Sequence, residues 1–78
     1  MHEFPSVKAR KLLAMLQREP LAFEIVRQKG SHRRMKSRNG YGVLTFSWHD
    51  GATIPPGLVE KTLVEDVGLS REEALELL

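Results

Sequence analysis

Two glycine turns, Lys29-Gly30 and Asn39-Gly40, divide the middle of this chain into three short strand-forming runs. Leu21 to Arg27 carries Phe23, Ile25 and Val26 and reads as the first strand; Ser31 to Lys36 runs back as the second. Asn39-Gly40 tolerates the positive φ angles of a tight hairpin, and Val43 to Trp48 follows as the third strand. Strands joined by turns this short pair antiparallel, so the middle of the chain is constrained to a meander. Within the third strand Leu44, Phe46 and Trp48 share one face, and Val43, Thr45 and Ser47 share the other. That segment alone leaves open which face is inward.

Helical patterns flank the meander. Ser6 reads as an N-cap, followed by Ala9, Leu12, Leu13 and Leu16 on one helical face. Glu19-Pro20 ends this helix, because proline disfavours helical geometry in the residue before it. After a loop at His49-Asp50-Gly51-Ala52, Pro55-Pro56 starts a second helix with a buried stripe of Leu58, Val59, Thr62, Leu63 and Val67. Gly68 suits its C-terminal cap. Ser70 and Glu73 form a capping box, with Leu69 ahead as a staple and Leu75, Leu77 and Leu78 as a short apolar end. The order predicts an α+β fold, α-β-β-β-α with a short C-terminal helix. A three-stranded antiparallel sheet would carry two helices on one face, the layout of the double-stranded-RNA-binding domain.

Seventy-eight residues make a single domain, 1–78, with a thin core. The absence of cysteine excludes disulfides and thiolate metal sites and fits a reducing cytoplasm. The N-terminal residues lack a signal-peptide apolar run, and no stretch approaches the roughly 18 apolar residues of a membrane span. A cytoplasmic protein is therefore expected. Residues 1–49 carry ten basic and three acidic side chains, a net of +7; residues 50–78 carry two and seven, a net of −5. This asymmetry points to a polyanion-binding face backed by an acidic one.

The basic residues concentrate at Arg27, Lys29, Arg33, Arg34, Lys36 and Arg38, with His32 among them directly after Gly30-Ser31. Imidazole is the side chain whose ordinary titration lies nearest neutrality, so it can take a proton from a ribose 2′-hydroxyl. Cations beside it can hold the phosphate and offset the charge that develops there. That is the equipment of a ribonuclease needing no metal and no cofactor. Strand alternation places His32 with Arg34 on one face, and Arg33 with Met35 on the other. His2, His32 and His49 are not at ligand spacing, and the carboxylates cluster in the C-terminal helices, which argues against a metal site. Ser31 neighbours His32 in sequence and so faces away from it, which leaves no serine–histidine triad. His49 is a second candidate proton carrier, and Trp48 and Tyr41 are candidates for stacking on a base or for the core.

The stretch Phe23-Glu24-Ile25-Val26-Arg27-Gln28-Lys29-Gly30-Ser31-His32 resembles the signature of HicA-type mRNA interferase toxins, the small ribonucleases of type II toxin–antitoxin pairs. Leu44 to His49 is similar to the third strand and following histidine of that family. Ile54-Pro55-Pro56-Gly57-Leu58 and Val67 to Glu73 resemble its later segments, so the likeness runs from Ser6 to Leu78. It implies a catalytic role for His32, cleavage of mRNA, and a HicB-type antitoxin that covers the active face. Gly30 would carry over as the residue that lets the backbone approach the phosphate, with Ser31 beside it in the RNA-binding turn.

Two departures stand out. Arg33-Arg34-Met35 stand where many members have a polar residue followed by an aromatic, and Ala22 stands where the family often has glycine. The rival reading is a non-catalytic RNA-binding module using the same basic hairpin. A third is an interaction protein that binds a partner through Trp48 and the C-terminal helix.

Overall fold

A computed structural model describes residues 3–78; His2 lies outside them. Strand β1 (Val7–Lys8) leads into helix α1 (Ala9–Gln17), followed by β2 (Phe23–Lys29), β3 (His32–Ser37) and β4 (Val43–Phe46). Strand β5 (Thr53–Ile54) precedes helix α2 (Pro56–Glu60), a π-helical continuation over Lys61–Asp66, and helix α3 (Arg71–Leu77). The expected three-stranded antiparallel meander is present, in the order β2-β3-β4. The fold is mixed α+β.

The beginning of the chain departs from expectation. Ser6 does not cap α1, because Val7 and Lys8 pair with Ile54 and Thr53 and the helix starts only at Ala9. The strand bond wins because it continues into the helix: the Ala9 amide donates to the Ala52 carbonyl at 2.9 Å. Strand β1–β5 pairing thus satisfies an orphan helix amide that a cap would otherwise take. The third strand is also shorter than expected, ending at Phe46, and β2 begins at Phe23 rather than Leu21.

Alternation sorts the sheet into two faces. Phe23, Met35, Leu44 and Phe46 are buried and meet Ala9, Leu12, Met15 and Leu16 of α1 and Val59, Leu63 and Ala74 of the C-terminal helices. Every helix residue in this core packs on that side, so the helices lie on one face of the sheet. Leu58, expected in the buried stripe, is 40% exposed: the stripe runs through Val59, Leu63 and Val67 instead.

The connection between α1 and β2 is locked to the β3–β4 turn. Ser37 Oγ donates to the Leu21 carbonyl at 2.6 Å, and the Arg38 amide donates to the Ala22 carbonyl at 2.9 Å. Asn39 Nδ2 reaches both Glu19 Oε2 and the Pro20 carbonyl. Ala22 takes a positive φ of 49° at this corner, a backbone region that glycine enters without the strain a Cβ brings.

Both cap expectations at the C-terminal end hold. Gly68 adopts φ 91° just past the π segment, and the capping box of Ser70 and Glu73 is complete. The Ser70 backbone amide, and then its hydroxyl, hold the Glu73 carboxyl below the usual carboxylate range. Arg71 ties α3 to the rest: it pairs with Glu60 and, at 3.8 Å, with Glu3, and lies 5.2 Å over the Phe4 ring.

Candidate active site on the open sheet face

The face of the sheet turned away from the helices carries the cations. Gly30, at φ 59°, occupies the first central position of a two-residue loop that pairs Lys29 with His32. That positive φ is what a type II′ hairpin requires there. Ser31 is the second loop residue and is half-buried. Beyond the turn, cross-strand pairs share a face, so three rows form across the open side. The first holds Lys29, His32 and Ser47; the second Arg27, Arg34 and Thr45; the third Glu24, Lys36 and Val43.

A one-residue bulge at Val26 builds this arrangement. Strict alternation from Phe23 would send Arg27 and Lys29 toward the core side with Ile25. The register shift between Ile25 and Arg27 turns both outward, opposite Arg34 and His32.

His32 is exposed, with Nδ1 3.4 Å from Ser47 Oγ. Arg34 Nη1 donates to Thr45 Oγ1 at 3.2 Å, which steadies its guanidinium over the middle row. Arg27, Lys29, Arg34 and Lys36 make no ion pair among the described residues, so their charge remains available to an anion. Arg38 is partly committed, with its Nε 2.9 Å from Glu24 Oε1.

Arg33 is set apart from the others. It lies on the opposite face, with its side chain 13% exposed, paired with Asp50 at 3.0 Å and directed at the Trp48 carbonyl at 3.5 Å. It braces the loop after β4 against β3. His49 is exposed in that loop, while Trp48 and Tyr41 pack partly against the core. Ser47 and Thr45 are the site residues that sequence reasoning passed over. The signal for them was present: both fall on the polar face of the third strand, and the short Gly30 turn fixes which row each joins.

Residues 9–69 match the family model described as the HicA toxin of bacterial toxin–antitoxin systems. The chain belongs to the HicA toxin family. The match includes α1, the whole sheet and the π segment, and so takes in every residue of the three rows. Membership makes the protein the toxin half of a toxin–antitoxin pair, with a cognate antitoxin as partner. No curated protein and no solved structure matches the HicA chain closely enough to add a relative. No described helix of this HicA protein is long and apolar enough to cross a membrane.

Proposed function

We propose that this HicA protein is an mRNA interferase, a metal-independent endoribonuclease that halts translation in the cytoplasm, with His32 as general acid–base. The observation carrying this reading is the position of His32 on the open face, with Lys29 beside it and Arg27, Arg34 and Lys36 in the adjoining rows. In the tautomer that donates Nδ1–H to Ser47, Nε2 is free to accept the proton of a ribose 2′-hydroxyl. The 2′-oxygen then bonds to the adjacent phosphorus, the bond from phosphorus to the 5′-oxygen breaks, and the departing oxygen takes up a proton. The products are a 2′,3′-cyclic phosphate and a free 5′-hydroxyl. Arg27, Lys29 and Arg34 neutralise charge on the phosphorane, and Lys36 and Arg38 extend the track for the backbone. Gly30 and Ser31 shape the turn beside the phosphate. Arg33 acts by positioning the Trp48 loop, not by touching RNA.

The α+β layout, an antiparallel sheet with helices on one face, supports a relationship to the double-stranded-RNA-binding fold. A HicB-type antitoxin would silence the enzyme by covering the open face. The deciding experiment is RNA cleavage and growth arrest with His32→Ala at matched expression. A loss of about two to four orders of magnitude in cleavage rate is expected for removal of a general acid–base. Undiminished cleavage by the variant would reject the mechanism. A protein that binds RNA and never cuts it would instead be a non-catalytic module.

A further inference from the structure

A cavity of about 310 Å³ opens at the outer edge of β4. Thr45, Ser47 and Trp48 form one wall, and Leu58, Lys61, Thr62 and Asp66 form the other. Its volume is at the lower end of small-molecule sites, ~300–1,000 Å³. Two things connect it to the chemistry. Ser47 lines it while also lying 3.4 Å from His32 Nδ1, so the cavity begins one side chain from the catalytic imidazole. Its far wall includes the π-helical turn, a rare geometry that recurs at functional sites.

We propose that this cavity is a nucleobase subsite, holding the base next to the scissile phosphate and thereby deciding where RNA is cut. The inference rests on the ribonuclease reading and gives that site a means of selection. Trp48 supplies the aromatic surface on which an unstacked base lies, and Leu58, an apolar side chain of α2 that is 40% exposed, supplies the apolar cover. The hydroxyls of Thr45 and Ser47 are placed to meet the polar edge of the base. Lys61 and Asp66, 3.7 Å apart and both lining the cavity, form a pair that offers a base one donor and one acceptor. The backbone therefore follows the cationic rows while one base turns around the edge strand.

Trp48 is the chain's single tryptophan, so tryptophan fluorescence reports on this one position in the cavity wall. The His32→Ala protein, which binds without cutting, is titrated with the four nucleoside 3′-monophosphates, with ribose 5-phosphate and with inorganic phosphate. Nucleotides should quench the emission and the two base-free phosphates should not. Leu58→Glu, an exposed substitution, should weaken the quenching titration several-fold, because it replaces the apolar cover with a charge. On long RNA, Trp48→Phe should keep the cleavage map and Trp48→Leu should spread it and raise KM. Absence of quenching, equal quenching by ribose 5-phosphate, or a titration unmoved by Leu58→Glu would overturn the subsite. Quenching in a chain whose wild type cuts no RNA would remove the ribonuclease reading and leave the subsite standing; cleavage without quenching would do the reverse.

Discussion

At the scale of single residues, the arginines of the Arg33-Arg34 pair have different tasks. Arg34 stands on the open face without an ion pair among the described residues, whereas Arg33 is held by Asp50 behind the sheet. Replacing Arg27 and Arg34 with glutamine should flatten the salt dependence of RNA binding by about 1.4, at roughly 0.7 per phosphate contact on a single strand. Arg33→Gln should leave that slope unchanged and cost stability instead, about 1 kcal/mol for an ion pair whose carboxylate is largely exposed. Filter binding across a salt series and urea unfolding separate the two effects. Sequence alternation already assigned Arg33 and Arg34 to opposite faces; what it lacked was the Asp50 partner, which depends on a loop closing from seventeen residues away. Ala22 poses a different test. Its side chain is fully buried at φ 49°, so a β-branched replacement meets both a forbidden backbone region and a filled core. Ala22→Val should lose about 2 kcal/mol or more in chemical denaturation. Ala22→Gly should change stability by less than about 1 kcal/mol, because relief of backbone strain is offset by a lost methyl and a freer unfolded chain.

Among the elements, α3 owes its start to the reciprocal bonds of Ser70 and Glu73. Ser70→Ala should destabilise the protein by about 1 kcal/mol. Glu73 binds its proton more weakly in the folded chain than in the unfolded one, so its contribution is complete above the ordinary carboxylate range. That contribution is lost as pH falls through the lowered folded value. Glu73→Gln keeps an acceptor oxygen but cannot titrate, so it should remove part of the acid limb of a stability–pH curve. An identical acid limb in the two proteins would contradict this. This box was legible because a capping box is local: four residues specify it. The start of α1 was not, since Val7 and Lys8 find their strand partners at Thr53 and Ile54, and no local signal at Ser6 announces a contact across that separation. The π turn at Lys61–Asp66 was invisible for a related reason, as its apolar spacing differs little from that of an α-helix over one turn.

For the whole molecule, the charge asymmetry between residues 1–49 and 50–78 becomes in part a spatial one: Arg27, Lys29, Arg34 and Lys36 share the open side of the sheet, while Arg10 and Lys11 of α1 lie with the acidic α2–α3 region on the helix side. An antitoxin that meets the open face should present an acidic surface and associate quickly at low salt, with the rate falling as salt rises. Co-expression with the neighbouring gene product should yield a complex that does not cleave RNA and in which the amides of β2–β4 are protected from exchange. Antitoxin at a hundred times its dissociation constant should add about 2.7 kcal/mol of apparent stability. A complex that cleaves RNA as fast as the free toxin would exclude this face as the point of inhibition. The broad distribution of charge and the meander were open to inspection from the chain alone, because both depend on short-range patterns.

The bulge at Val26 bears on how such a chain can change. Val26 is 60% exposed and stands outside the ladder, so trimming that one codon leaves every remaining cross-strand partner in register. Adding a residue to β2 is another matter, because the ladder then has to slip to accommodate it. A shift of one position would carry Glu24 under the sheet and bring Phe23 to the surface, exchanging core for charge in a single step. A residue lost around the bulge is thus absorbed where a residue gained in β2 is ruinous, a constraint that substitution tolerance alone would never reveal.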